Sequence, residues 1–256
     1  MRRVRIIPVI CISGKKMVKT IKFGKPNYLG DPLNAIRIFN EKEVDEIVVL
    51  DITASQKGDE PDYRLIEEMA SECFMPLAYG GGVKSFEQAR ALFSLGVEKI
   101  IVNTAARAGG LVSEIAGHYG SSSTLVAIDV SHSFLGKEKS AFKSATVAEN
   151  ILPEVFAKQI VEAGAGEILL TDVGRDGTFK GLNLDLVRRV SAAVNTPVIA
   201  CGGVSSLSNM YEGIQAGASA IAAGSFFSYK NNDTNSILIN YPSQEDLKRE
   251  IYSKLK

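Results

Sequence analysis

The sequence predicts an α/β protein, a single (β/α)8 barrel built from two similar halves. Three observations point there. Eight short runs rich in apolar and β-branched residues recur along the chain. Segments with apolar residues at helical spacing separate them, as in Ser85–Leu95 and Leu184–Val194. The second half also repeats the first at an offset of 121 residues, so that Pro76-Leu-Ala-Tyr-Gly-Gly-Gly-Val returns as Pro197-Val-Ile-Ala-Cys-Gly-Gly-Val (197 against 76).

The predicted strands are Arg5–Ile12, Ile47–Ile52, Pro76–Tyr79, Lys99–Val102, Thr124–Val130, Glu167–Val173, Pro197–Cys201 and Ala218–Gly224. Their near-continuous apolar character implies burial on both faces, as in parallel sheets covered by helices. Asp51 stands 121 residues before Asp172, and Asn103-Thr104 stands 121 before Gly224-Ser225. A four-strand half used twice closes naturally into eight strands, whereas an open sheet gives no reason for the duplication. The 256 residues match the size of one (β/α)8, or TIM, barrel. One domain over residues 1–256 is therefore expected, its half-barrels dividing near 1–120 and 121–256, with no linker or low-complexity stretch between them.

Composition narrows the function. The 29 basic and 29 acidic residues balance, which speaks against a general nucleic-acid or membrane binder. The start, MRRVRIIPVICI, places charge before an apolar run, but the run is short and lacks a small-residue cleavage site, so it reads as a first strand. No apolar stretch approaches the roughly 18 residues that span a bilayer. Cys11, Cys73 and Cys201 form no CxxC pair, and an odd count points to a reducing cytoplasm. His118 and His132 are far apart and no acids cluster near them, so neither a metal nor a cofactor is expected.

The repeated glycines suggest anion sites. Gly80-Gly81-Gly82 and Gly202-Gly203 follow strands three and seven at the barrel's C-terminal face, where enzymes of this architecture work. Glycine lets backbone N–H groups approach an anion closely. Asn103, Thr104, Gly224 and Ser225 end strands four and eight and add amides and hydroxyls beside short helices. Tight turns alone would also use glycine, but the duplicated spacing favours one phosphate site per half. Asp176-Gly177, after strand six, is either a turn or a ligand contact beside the second site. Two sites across one barrel suit a phosphorylated small molecule with a phosphate at each end.

The segments RIIP, GDP at 30–32, VDEIVVLDITAS, YGGGV, NTAA, VAIDV, GAGEILLTDVGRDGT and PVIACGGV, from Arg5 to Ser225, resemble the cyclase subunit of imidazole glycerol phosphate synthase. The resemblance implies ammonia supplied by a separate HisH-like glutaminase subunit. It also implies ring-closing chemistry by two aspartates, one each from strands one and five. Asp129 matches the second and is placed to shuttle protons. The first is absent: Cys11 occupies its position, and Ser13 that of a following lysine. Cys11 is an acid–base group only if its pKa is lowered; otherwise it is a small apolar filler. Lys19 matches a lysine on the family's mobile first loop over the substrate, though an exposed loop lysine fits equally. Residues 230–243, KNNDTNSILINYPS, are inserted after strand eight and are expected to face the active site; Tyr79 is a further departure.

EKEVDE, ASECFMP, YGGGV and NYPSQE look like a branch of second cyclase copies from surface-polysaccharide gene clusters. That branch is proposed to pass ammonia to a sugar amidotransferase making acetamidino sugars. Finally, Arg5, Glu46, Lys99 and Glu167 stand at or just before the starts of strands one, two, four and six, on the face opposite the phosphates. They are either solvated strand-start charges or a closed ring of ion pairs, which the resemblance implies is an ammonia gate. Three functions follow from these readings: an ammonia-channelling synthase subunit for sugar amidination, a working cyclase of histidine biosynthesis, or a non-catalytic partner that activates its glutaminase.

Overall fold

A computed structural model of the chain describes residues 4–133 and 136–255, without the Ser55 side chain. Eight parallel strands close on themselves. They are β1 (Arg5–Ser13), β2 (Ile47–Asp51), β3 (Leu77–Gly80), β4 (Lys99–Val102), β5 (Thr124–His132), β6 (Glu167–Asp172), β7 (Val198–Cys201) and β8 (Ala220–Ala223). Each pairs with the next, and β8 pairs with β1, so no barrel edge is left open. Helices α1 (Pro32–Glu41), α2 (Tyr63–Glu72), α3 (Phe86–Ser94), α4 (Gly110–Tyr119), α5 (Pro153–Glu162), α6 (Leu184–Ala193), α7 (Leu207–Gln215) and α8 (Gln244–Glu250) lie outside the strands.

The strand limits differ from expectation by a residue or two, with a clear cause at the prolines. Pro76 and Pro197 have no N–H for the ladder, so β3 and β7 begin one residue later. Their carbonyls still serve, accepting from Ile47 N at 2.9 Å and Ile168 N at 3.0 Å. Helix starts follow local chemistry. Asp62, Ser85, Asn183, Ser206 and Ser243 cap α2, α3, α6, α7 and α8 through their side chains, and Ser85 with Gln88 forms a capping box.

Alternation along the strands produces two cores. Outward residues such as Ile6, Ile10, Ile47, Ile100 and Ile168 pack under the helices. Inward residues, among them Ile7, Val9, Cys11, Val48, Ala78, Ile101, Leu125, Ala127, Leu169 and Ile199, fill the barrel. Tyr79 belongs to the outer layer, so its replacement of a smaller residue does not reshape the barrel interior.

Two hairpins at the C-terminal face were not anticipated. After β1 the chain turns back as Lys16–Lys19 and Asn27–Gly30, antiparallel to β1 and to each other. After β5 it turns back as Glu138–Phe142 and Val147–Glu149. The inserted residues 230–243 are also corrected. None of them lines the central cavity. They fold as a strap down the outside of the barrel, where Asn240 N bonds Phe227 O at 3.0 Å and Tyr241 Oη bonds Ile6 O at 2.9 Å. Among the described residues, no helix is long and apolar enough to cross a membrane.

Candidate active site

One cavity of about 570 Å3 opens at the C-terminal ends of the strands. It collects residues from all eight strands and their loops: Cys11 and Lys19, Asp51, Gly81 and Gly82, Asn103 and Thr104, Asp129, Thr171 with Asp176, Cys201 and Gly224. A much smaller recess beside it is lined by Asp176, Gly177, Gly202, Gly203, Gly224 and Ser225. Asp176 and Gly224 border both. The structure thus brings every sequence-predicted residue of the C-terminal face to one mouth.

The glycine repeat has a steric cause that both halves share. Gly81 has φ 133°, and a Cβ there would lie 2.7 Å from the Asp51 carbonyl oxygen. Gly202 has φ 93°, and its Cβ would lie 2.6 Å from the Asp172 carbonyl oxygen. Each glycine therefore lets its loop cross tightly over the end of the preceding strand, which leaves backbone amides at the mouth. In the second half the Ser225 hydroxyl is buried without a hydrogen-bond partner. A buried, unpaired hydroxyl is costly, and a ligand oxygen in the adjoining recess would satisfy it.

The first half is more occupied by the protein itself. Asn103 Nδ2 donates to the Ala127 and Ala141 carbonyls at 3.0 and 3.3 Å, and Thr104 Oγ1 accepts from Lys143 N at 3.0 Å. These bonds tie the hairpin after β5 to the end of β4.

Lys19 is neither exposed nor on a free loop. It ends the Lys16–Lys19 strand, is buried, and its Nζ lies 2.7 Å from Asp176 Oδ2. Burial opposes the ammonium charge, but Asp176 outweighs it and raises the Lys19 pKa. Lys22 N also bonds Asp176 O at 2.9 Å, so this first hairpin is latched onto the β6 loop.

Asp129 lines the cavity from β5, paired with Thr171 in the β5–β6 register. Burial, and secondarily the Asp176 charge, push its pKa up to about 7. A carboxyl that exchanges its proton near neutrality is fitted to general acid–base work. Cys11 behaves oppositely. Burial raises its pKa, Lys19 only partly opposes this, and Asp176 adds to it. The thiol therefore stays neutral, which favours the apolar-filler reading. Cys201 also lines the cavity, with burial pushing it up to about 12. His132 is exposed at the end of β5, and its Nε2 lies 3.1 Å from Asp172 Oδ1. His118 is exposed, with its ring 4.5 Å from that of Phe86. Among the described residues, no group of three or more His, Cys, Asp or Glu is arranged to hold a metal.

At the opposite end, the four strand-start charges meet. Arg5 bonds both Glu46 and Glu167. Lys99 Nζ lies 2.8 Å from Glu46 Oε2 and 2.9 Å from Glu167 Oε2. The alternating charges close into a ring across the barrel floor. Its side chains range from 2 % exposed for Glu46 to 23 % for Arg5. For Arg5, burial acts against the charge, but the two glutamates outweigh it and raise its pKa.

Sequence reasoning missed Thr171, Lys57, Lys84, Lys143 and Ser144, all of which line the cavity. Thr171 was accessible, being the residue before Asp172 at a strand end. The others sit on loops whose approach no local pattern announces.

A family model described as histidine biosynthesis protein matches residues 5–234. The chain belongs to this family. It is 45 % identical over 249 residues to a Leptospira interrogans protein provisionally named imidazole glycerol phosphate synthase subunit HisF, covering 96 % of this chain and 98 % of that one. A Pseudomonas aeruginosa protein with the same provisional name, as subunit hisF2, is 45 % identical over 96 % of this chain and 99 % of its own. For the Vibrio vulnificus hisF3 subunit, named in the same way, the figures are 42 %, 97 % and 96 %. The resemblance to the cyclase-subunit family read from the sequence is thereby borne out.

Proposed function

We propose that the chain is the synthase subunit of a glutamine-dependent amidotransferase. On this reading it takes ammonia from a glutaminase docked on the N-terminal face and delivers it to a phosphorylated small molecule at the C-terminal face. The observation that carries this is the position of the ring relative to the cavity. On β4 and β6, the next inward residues after Lys99 and Glu167 are Ile101 and Leu169, and both already line the cavity. Two residues of strand advance roughly 7 Å. On β1 and β2 only Ile7 and Val48 intervene before Val9 and Leu50. A thin apolar layer thus separates a charged floor from the reaction chamber. Neutral ammonia crosses such a layer at little cost, whereas ammonium pays its full desolvation. A ring of four ion pairs adds little stability for the burial it requires, so a gating use is the economical account.

The same face presents Phe74 at 86 % exposure, on the loop between α2 and β3 and held by Asn40 through a 3.1 Å bond to its amide. A large exposed aromatic side chain is a natural anchor for a partner. At the other face, the neutral thiol of Cys11 stands where the family resemblance places an aspartate. Passage of ammonia is retained in this reading while ring closure is weakened, which favours an acceptor such as an amidinated sugar, made with a sugar amidotransferase in surface-polysaccharide synthesis. The second reading, a working cyclase of histidine biosynthesis, draws its support from Asp129 with its pKa near neutrality and from the two anion cradles. We take the compartment to be the cytoplasm.

The test of the gate is the coupling between glutamine hydrolysis and nitrogen transfer. In Lys99→Ala and in Glu167→Ala, glutaminase activity is expected to persist while coupled transfer falls about tenfold. Unchanged coupling in both variants would show the ring to be a solvated rim, and docking of the glutaminase on the C-terminal face would overturn the channel.

A further inference from the structure

The two anion cradles differ in charge. The first is bordered by Lys57, Lys84 and Lys143, against two carboxylates: Asp51, whose Oδ1 is occupied by Thr53 N and Ala54 N, and Asp129, which Asn103 Nδ2 approaches at 3.5 Å. The recess of the second half is lined by no lysine or arginine. The lysine beside it, Lys19, is already neutralised by Asp176. Sequence symmetry is therefore not carried into the electrostatics.

Lys143 owes its place to a costly piece of backbone. Lys143, Ser144 and Ala145 are three consecutive non-glycine residues with positive φ, at 51°, 54° and 61°. Such conformations are unfavourable and persist where surrounding contacts enforce them. The contacts are present. Ser144 Oγ reaches 92 positions back to the Ile52 carbonyl at 3.0 Å, and Lys143 N meets Thr104 Oγ1. Thr146 closes the tip onto the Lys143 carbonyl at 2.7 Å. The base is fixed as well: Glu138 pairs with Arg189 and Glu149 with Arg107, which also lies 5.1 Å from the Phe142 ring. The hairpin after β5 is thus held at both ends across the first half of the mouth.

We infer that this hairpin tip is a fixed clamp over the first anion cradle, with Lys143 as a ligand-binding cation. Together with Lys57 and Lys84, it makes the first half the site for the more highly charged end of the ligand, a diphosphate or a doubly ionised phosphate. The inference rests on the proposed phosphate-binding reading and adds to it an order: the two ends of the ligand are not equivalent.

Calorimetric titration of the full chain with inorganic pyrophosphate and with inorganic phosphate tests it. The wild-type chain is expected to bind pyrophosphate about tenfold more tightly than phosphate. Lys143→Ala is expected to weaken pyrophosphate by about three- to tenfold and to narrow that preference, with Lys143→Arg restoring it. Lys158→Ala, removing an exposed charge on α5, is expected to leave both affinities unchanged. Equal pyrophosphate affinity in wild type and Lys143→Ala, or an equal loss in Lys158→Ala, would overturn the clamp while leaving the cradles standing. Failure of the wild-type chain to bind either anion would instead overturn the phosphate-binding reading itself.

Discussion

The two ends of the barrel both hold interlocked charges, but they hold them differently. At the C-terminal mouth, Lys19 and Asp176 form one dry pair, with side chains 6 % and 8 % exposed. At the floor, Arg5, Glu46, Lys99 and Glu167 share four charges in a ring that water still touches, Arg5 being 23 % exposed. A dry pair cannot open without stranding a charge, so it acts as a fixture. A ring in which each charge has two partners can trade one contact for another and for water, so it suits a gate. On the proposed reading, the number of partners each charge has and the partial exposure of Arg5 and Lys99 separate a gate from a fixture.

The largest effect is expected from breaking the dry pair. Asp176→Asn leaves the Lys19 ammonium buried without a counter-charge and is expected to destabilise the chain by about 3–5 kcal/mol. Thermal or urea unfolding measures it. In the floor ring, Lys99→Ala leaves Glu46 and Glu167 still paired with Arg5, and the expected loss is about 1–2 kcal/mol. Equal losses at the two ends would erase the distinction between fixture and gate.

Most of this comparison was legible in the sequence at the floor and little of it at the mouth. Arg5, Lys99 and Glu167 each open a strand, and Glu46 directly precedes one, so strand periodicity alone places all four on one end. Lys19 finds its partner 157 positions away, across a hairpin whose polar sequence, GKKMVKTIKF, shows no clean alternation. Its burial could not be read locally. The strap of residues 230–243 misled for a similar reason. A chain leaving a barrel strand at the C-terminal face is expected near the site, but Tyr241 anchors it to Ile6, 235 positions away, near the floor. The repeat was fully legible because Gly81 and Gly202 are sterically required. The lysines that break its symmetry were not, since Lys143 reaches the mouth only through a distorted turn.

A smaller effect sharpens the contrast within the cavity. Asp129 keeps its proton to about pH 7 in the folded chain, whereas in the unfolded chain it titrates from its ordinary value of 3.8. Between those limits the unfolded state has lost a proton that the folded state retains, so stability falls as pH rises and levels off above about 7. Asp129→Asn removes this penalty. Relative to wild type it is expected to gain on the order of 1–3 kcal/mol at pH 8 and almost nothing at pH 4. Denaturant midpoints across that range check both sign and window. A gain that grows toward low pH would show that Asp129 is not the group titrating upward.

The central claim of the proposed reading is that ammonia passage through the floor is kept while ring closure at the mouth is weakened. The most direct measurement bypasses the glutaminase: purified chain, saturating ammonium salt, and the cyclase substrate of histidine biosynthesis. With one of two acid–base carboxylates replaced by a neutral thiol, turnover about a hundredfold or more below that of a cyclase bearing both aspartates is expected, with Cys11→Asp raising it. Wild-type turnover within about tenfold of such a cyclase would contradict the claim and make this chain a working cyclase.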